Sequence, residues 1–319
     1  MVALRMRLAC VFAVLVSAAH ADNYPTKPIR FITGYPAGSA SDSVARTLGQ
    51  QLSEVYGQQF IVDNRPGAAG NIAAEITAKA APDGYTILLV ATNHAIVSSL
   101  YSKLPFDPIR DFSPITLVST APTILVVHPS LPVKSVPEFI ELVKSKSGKL
   151  SYGSSGNGAS PHLNMELLKT TTGIQITHIP YKGIPPALTD LLGGQIQAMF
   201  STMAPAVPLV RAGKLRALAT SGPKRAPATP DVPTVAESIP GFESLSWQGV
   251  IAPAGTPRKI AADLNAKIVR VVHMPEVTKR LVDSGFEPVG SSPEEFASFI
   301  KSEAVKWAKV VKAAGAKLD

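Results

Sequence analysis

Ile115-Thr-Leu-Val-Ser-Thr-Ala-Pro-Thr-Ile-Leu-Val-Val127 is an almost unbroken run of β-formers with one proline, Pro122, in its middle. Strands usually run about 5 or 6 residues, so this one is long for a single sheet, and a proline removes a ladder donor at its centre. Both features fit a strand that crosses from one domain into another. On its N-terminal side, short apolar runs alternate with helical patterns: Ile29 to Thr33, a helix to Val55, Phe60 to Asp63, a helix from Asn71 to Ala80, then Tyr85 to Ala91. On its C-terminal side the rhythm returns in Leu150 to Gly153, a helix from Ser160, Ile174 to Pro180, a helix from Pro185, and Ala198 to Ser201. Such alternation argues for parallel strands joined by right-handed crossovers, so an α/β unit is expected on each side.

If the chain ends back in the first unit, a second crossing is needed, and Ser246 to Thr256 has the composition for it. The proline-rich stretch from Lys224 to Pro240 reads as an ordered but irregular connector. Ser292-Pro-Glu-Glu295 predicts a capping box with proline in the first helical turn. After it, Phe296, Phe299, Ile300, Trp307, Val310 and Val311 fall on one helical face, which is expected to dock on the first domain. The N-terminus, MVALRMRLACVFAVLVSAAHA, has Arg5 and Arg7, an apolar core from Leu8 to Val16 and an A-x-A ending at Ala21. It reads as a secretory signal too short to span a bilayer. The expected organisation is residues 1–21 as signal peptide, 22–122 as the first part of domain I, 123–249 as domain II, and 250–319 as C-terminal helices returning to domain I.

Removal of residues 1–21 takes away two arginines and no acid, which lowers the formal charge from +8 to +6. It also takes away Cys10, the only cysteine, so a mature chain would have no disulfide. The basic residues are scattered and aromatics are few, which leaves nucleic-acid binding without support.

Four loops carry the candidate chemistry. Gly34-Tyr-Pro-Ala-Gly-Ser-Ala-Ser-Asp42 joins a strand to a helix. Gly34 and Gly38 would let the backbone approach a bound group, Ser41 or Asp42 would cap the helix, and the free first-turn amides would hold an anion. Asn64-Arg-Pro-Gly-Ala-Ala-Gly-Asn71 repeats the design and brings in Gly70; Arg65 there fits a local or exposed role at least as well as a ligand contact. The third loop reads Thr92-Asn93-His94. All three belong at the C-terminal edge of one parallel sheet, where open α/β sheets bind ligands. The second unit offers Gly153-Ser-Ser-Gly-Asn-Gly-Ala-Ser-Pro-His162, with Ser160 as the expected cap.

Serine and histidine in that last loop raise a secreted serine hydrolase, with Ser155 and His162 as its members. The nucleophile elbow G-x-S-x-G is missed at its final position, however, and no acid is evidently paired with His162. The histidines of the mature chain are dispersed without metal-ligand spacing, and neither dinucleotide nor P-loop fingerprint occurs, so no metal, nucleotide or other cofactor is expected. Small side chains and free amides converging on one cleft describe a binding protein rather than an enzyme.

Tyr24-Pro-Thr-Lys-Pro-Ile-Arg30 with the loop that follows, Asn64-Arg-Pro-Gly67, Ala81-Pro-Asp-Gly-Tyr85, Ser154 to His162, His178-Ile-Pro-Tyr-Lys-Gly183, Asp190-Leu-Leu-Gly-Gly-Gln195, Pro230 to Glu237 and Ala252 to Pro257 resemble the Bug receptors. These are the periplasmic solute-binding proteins of tripartite tricarboxylate transporters, and the resemblance covers essentially the whole mature chain. It implies a type II periplasmic-binding-protein fold in which two α/β domains, joined by crossing hinge strands, close on a small organic anion. It also implies a carboxylate grip by Tyr35, Pro36, Ala37, Gly38 and Ser39 in the first domain and by Ser155, Asn157, Gly158, Ala159 and Ser160 in the second, partly through ordered water.

Tyr35, Asn93, His94 and Trp247 are candidates to line the other end of the ligand, with structural packing an equal alternative. The family's first loop usually reads F-P-P-G-G-x-x-D, whereas here Ala37 and Ser39 replace the second proline and second glycine. Ser201 and Thr202 stand where the family commonly places an aspartate facing the cleft, which favours a carboxylate or dicarboxylate over an amino acid; an aromatic acid is a further candidate ligand. The implied partners are membrane permease subunits, with a membrane sensor kinase as the alternative, and the mature protein is expected to be a periplasmic monomer.

Overall fold

The computed structural model describes residues 24–101 and 103–315; the expected signal peptide lies outside them. Strand β1 (Ile29–Thr33) leads into helix α1 (Ala40–Tyr56), and β2 (Phe60–Asn64), α2 (Asn71–Ala78), β3 (Thr86–Ala91) and α3 (Asn93–Leu100) follow. β1 lies between β2 and β3 and pairs with both in parallel. Its side chains alternate between two cores. Ile29 and Phe31 pack with Val44, Leu48 and Leu52 of α1, while Ile32 packs with Ala73 and Ala74 of α2.

Strand β4 (Phe112–Val127) is the long strand expected to cross between domains. Its first part pairs with β9 (Leu245–Pro253) from Phe112 to Pro122, and its last part pairs with β7 (Ala198–Thr202) from Thr123 to Val127. The change of partner falls between Pro122 and Thr123, at the proline the sequence pointed to. The second lobe contains α4 (Val136–Ser145), β5 (Ser151–Ser154), α5 (Ser160–Thr172), β6 (Thr177–Pro180), α6 (Ile184–Leu192), β7, α7 (Met203–Arg211) and β8 (Arg216–Thr220). β5 pairs in parallel with β6 and β7, and β8 runs antiparallel beside β4. The chain then returns through Ser221 to Ser244 into β9, which pairs with β3 and β4. α8 (Arg258–Val272), α9 (Pro275–Asp283), β10 (Glu287–Pro288) and α10 (Pro293–Ala314) complete the described chain.

The capping box forms as expected: Ser292 accepts the Glu295 amide and the Glu295 carboxylate accepts the Ser292 amide. α10 does more than dock on the first lobe. Phe296 and Ile300 pack there, but Trp307, Val310 and Val311 share a cluster with Ile96 and Leu100 of α3 and Leu163 of α5, so the helix joins both lobes.

The strand directions set where the strand-end loops lie. β4 is antiparallel to β9, and β9 is antiparallel to β3, so the first half of β4 runs with β1, β2 and β3. The C-terminal ends of those strands therefore point toward Pro122. β7 runs against β4, with Thr202 opposite Thr123, and β5 and β6 run with β7. Their C-terminal ends also point toward the Pro122–Thr123 switch, so both sets of strand-end loops face the same boundary between lobes.

Candidate functional site

In the first lobe, Ser39 and not Ser41 or Asp42 is the N-cap of α1, because the helix starts at Ala40 and Ser39 Oγ accepts the Asp42 amide at 3.2 Å. Asp42, in the first turn, instead holds the loop. Its Oδ2 accepts the Gly38 amide at 2.8 Å and Arg46 Nε at 3.0 Å, and its Oδ1 accepts Asn64 Nδ2 at 2.8 Å. Asn64 Nδ2 also donates to the Tyr35 carbonyl at 3.0 Å, which ties the second loop to the first. Burial opposes ionisation of Asp42, but the bonds from Arg46, Asn64 and Gly38 outweigh it and hold the carboxyl below the usual carboxylate range.

Two glycines serve purposes other than those expected. Gly38 has a left-handed φ of +81°, and its amide is taken by Asp42 rather than left for a ligand. A Cβ on Gly34 would meet Gly70 Cα at 2.7 Å, so the close approach at Gly34 is to the neighbouring loop. Pro36, Ala37 and Gly38 are exposed, Tyr35 and Ser39 are half-buried, and burial pushes the Tyr35 hydroxyl upward in pKa. The amides of Ala40 and Ser41 at the start of α1 have no acceptor within the helix itself.

Asn93 is half-buried at the start of α3. His94 is buried, donates Nε2–H to the Pro108 carbonyl at 2.8 Å and meets the edge of Phe112 at 5.1 Å. Burial lowers its pKa to about 4, against the opposing effect of the Pro108 bond. Its outer nitrogen is thus committed to the fold, although the ring borders a small pocket with Gly34, Tyr35, Gly70 and Asn71. Trp247 does not line the boundary: it is fully buried between Phe296 and Phe299, with Nε1 on Glu303 Oε2 at 3.2 Å. Arg65 pairs locally with Asp63 at 2.9 Å and stays half exposed.

In the second lobe, Ala159 occupies the N-cap of α5 and Ser160 is its first helical residue, so the cap falls one residue earlier than expected. Ser155, Ala159 and Ser160 are half-buried, Asn157 is exposed and Gly158 is buried. Gly156 and Gly158 have φ values of +128° and +72°, which turn two amides of the loop inward. Ser154 Oγ accepts the Gly156 amide at 3.1 Å, and His162 Nδ1 accepts the Gly158 amide at 3.0 Å. Ser201 is buried at the end of β7 with Oγ on the Thr202 carbonyl at 3.1 Å, whereas Thr202 is exposed.

Sequence reasoning missed the residues behind these loops. Asn64 and Asp42 meet across separate strand ends, and His178 reaches Ser154 Oγ at 2.7 Å from the adjacent strand. The loop motif Asn64-Arg-Pro-Gly67 and the strand motif starting at His178 contained both residues without revealing their partners. The serine–histidine pair that forms is therefore Ser154 with His178, not Ser155 with His162. Ser154 is fully buried, so its hydroxyl supports the loop instead of facing a substrate.

The family model described as the tripartite tricarboxylate transporter family receptor matches residues 44–316. BugT of Bordetella pertussis is 37% identical, with 98% of each chain covered. Among solved structures, Rpa4515 of R. palustris with adipate is 38% identical, covers 92% of this chain and all of its own, and superposes with a TM-score of 0.77. MatC from Rhodopseudomonas palustris with bound malate is 33% identical over 90% of this chain and all of its own, with a TM-score of 0.73. A solute-binding protein from Polaromonas, without ligand, is 28% identical over 91% of this chain and 99% of its own, at 0.82. The chain belongs to the tripartite tricarboxylate transporter receptor family, and its fold is the two-lobed α/β fold of periplasmic binding proteins.

Proposed function

We propose that this member of the receptor family captures a small organic carboxylate between its lobes and delivers it to the membrane permease subunits of a tripartite tricarboxylate transporter. The observation that carries this reading is the convergence of both sets of parallel-strand ends on the Pro122–Thr123 switch. Helix α1 brings first-turn amides and Ser39 to that boundary, and α5 brings the loop from Ser155 to Ser160. Helix starts of this kind favour an anion through their free amides and their dipoles. The chemistry is capture and release, with hinge closure around the ligand rather than bond making.

In this reading, residues 1–21 direct export and are removed, residues 22–122 with 250–319 form one domain, and residues 123–249 form the other. Residues 245–249 already pair with the first sheet, which draws the return crossing back toward Ser244. Thr202 offers an exposed hydroxyl, and Ser201 a buried neutral one held on the Thr202 carbonyl, where an ammonium group would call for an acid, and this supports carboxylates or dicarboxylates over amino acids. The relatives solved with adipate and malate support the same class.

A thermal-shift screen of residues 22–319 against mono-, di- and tricarboxylates, aromatic acids and amino acids tests the proposal. Binding to the native state raises the melting temperature by mass action. The expected result is a rise with one class of carboxylate. Shifts with amino acids alone, or with nothing in the panel, would overturn the reading.

A further inference from the structure

Behind the second-lobe loop lies a stack of three rings outside the ligand contacts described so far. Tyr152 of β5 stacks on His178 of β6 with centroids 4.8 Å apart, and His178 stacks on His162 of α5 at 4.1 Å. Glu166, buried on the same helix as His162, accepts the Tyr152 hydroxyl at 2.6 Å and Lys169 Nζ at 2.7 Å. Its Oε1 stands 4.0 Å from His162 Nε2.

The direction of one hydrogen bond fixes the state of His162. The Gly158 amide can only donate, so Nδ1 must be an unprotonated acceptor, and in the neutral ring the hydrogen is then on Nε2, facing Glu166. Protonation at Nδ1 would set one donor against another and push Gly158 away. Ser154 differs in kind, since its hydroxyl can donate to or accept from His178 and keep the Gly156 amide in either case.

We propose that His162 is the positioning residue of the anion-gripping loop: its neutral Nδ1 anchors Gly158, and Asn157 to Ser160 is set for a carboxylate only while that acceptor is available. The inference rests on the receptor reading above. The groups facing His162 are Glu166 and Lys169 from its own helix, Tyr152 from β5 and His178 from β6. Burial holds His162 below its ordinary pKa; Glu166 opposes that shift and Lys169 adds to it. Burial, with His162 close by, also brings His178 down to about 4. The two rings thus stay neutral together at neutral pH, and the anchor weakens as acid reaches His162.

Adipate affinity measured from pH 8 to pH 5 on the wild type, His162→Asn and His162→Phe provides the test, with thermal unfolding as the check on folding. Asn places an acceptor oxygen where Nδ1 stood and does not titrate, whereas Phe keeps the stack and removes the acceptor. Wild-type affinity should hold near neutrality and weaken only as the pH falls through the lowered pKa of His162, by up to about tenfold per pH unit, the limit for one linked proton. His162→Asn should bind within about twofold of wild type at pH 8 and lose this histidine-linked decline, keeping only what titration of adipate itself causes. His162→Phe should bind about tenfold more weakly at pH 8, as expected for a lost hydrogen bond of about 1.4 kcal/mol. Wild-type pH dependence in His162→Asn, or wild-type affinity in His162→Phe, would overturn the proposal. Failure of adipate and of every other carboxylate in the thermal-shift panel to bind at pH 8 would count against the receptor reading. The ligand-free protein still decides the anchor, because the Gly158 amide resonance must titrate with His162, and an amide that ignores this titration would refute it.

Discussion

Asp42 is buried yet remains ionised because the Gly38 amide, Arg46 and Asn64 all donate to it. Asn at this position would turn an amide group toward one of those donors. Asp42→Asn should therefore cost about 2 kcal/mol, the range for hydrogen bonds to a charged group, and should weaken carboxylate binding. Its folded pKa lies below the unfolded value near 4, so its stabilising contribution is complete above that value and is lost as pH falls through the folded pKa. Chemical denaturation of wild type and variant should accordingly converge in acid and diverge near neutrality; a constant difference across pH would contradict this role. The sequence made the glycine-rich turn legible, because glycine and first-turn residues are local signals. It hid Asn64 as the second anchor, since nothing in either loop encodes which strand ends become neighbours.

At the scale of elements, α10 shows where a local pattern is sufficient and where it stops. Its capping box and apolar face were readable, but a periodic face does not say which lobe it covers. Trp307 is fully buried in the cluster shared by α3 and α5, and both Trp247 and Trp307 donate to Glu303 Oε2. Trp307→Ala should lower stability by about 3 to 5 kcal/mol through the cavity it leaves, read from urea unfolding of the full chain. Gly249 of β9 explains the tight fit of the same helix, because a Cβ there would fall within the Phe296 ring. Gly249→Val should force the helix outward and cost at least about 1 to 3 kcal/mol, and a melting temperature unchanged from wild type would refute this packing. The short strands β8 and β10 were not anticipated. Each gains its place by pairing with the long strand β4, a tertiary effect that propensity alone does not carry.

Across the whole molecule, the two-lobed organisation followed from one strand that was too long and interrupted by proline. The switch that Pro122 marks is secured by a buried polar cluster: Thr123 donates its amide and hydroxyl to Ser221 Oγ, and Asn164 donates to Thr123 Oγ1 at 2.6 Å while accepting the Ser244 hydroxyl. Serines and threonines scattered over more than a hundred residues gave no sign of this meeting. Asn164→Ala would strand the buried Ser244 hydroxyl and take one donor from Thr123 Oγ1, which keeps its bond to Ser221, and should cost about 1 to 3 kcal/mol, again measured by urea unfolding.

The central claim is that one anion is held from both lobes at this switch. Titrating the isotopically labelled protein, residues 22–319, with the carboxylate that gives the largest rise in the thermal-shift screen while following backbone amide resonances tests it most directly. The account predicts that Ala40 and Ser41 in the first lobe and Gly158 to Ser160 in the second shift together along one binding curve. Shifts confined to one lobe, or none in either loop, would contradict it.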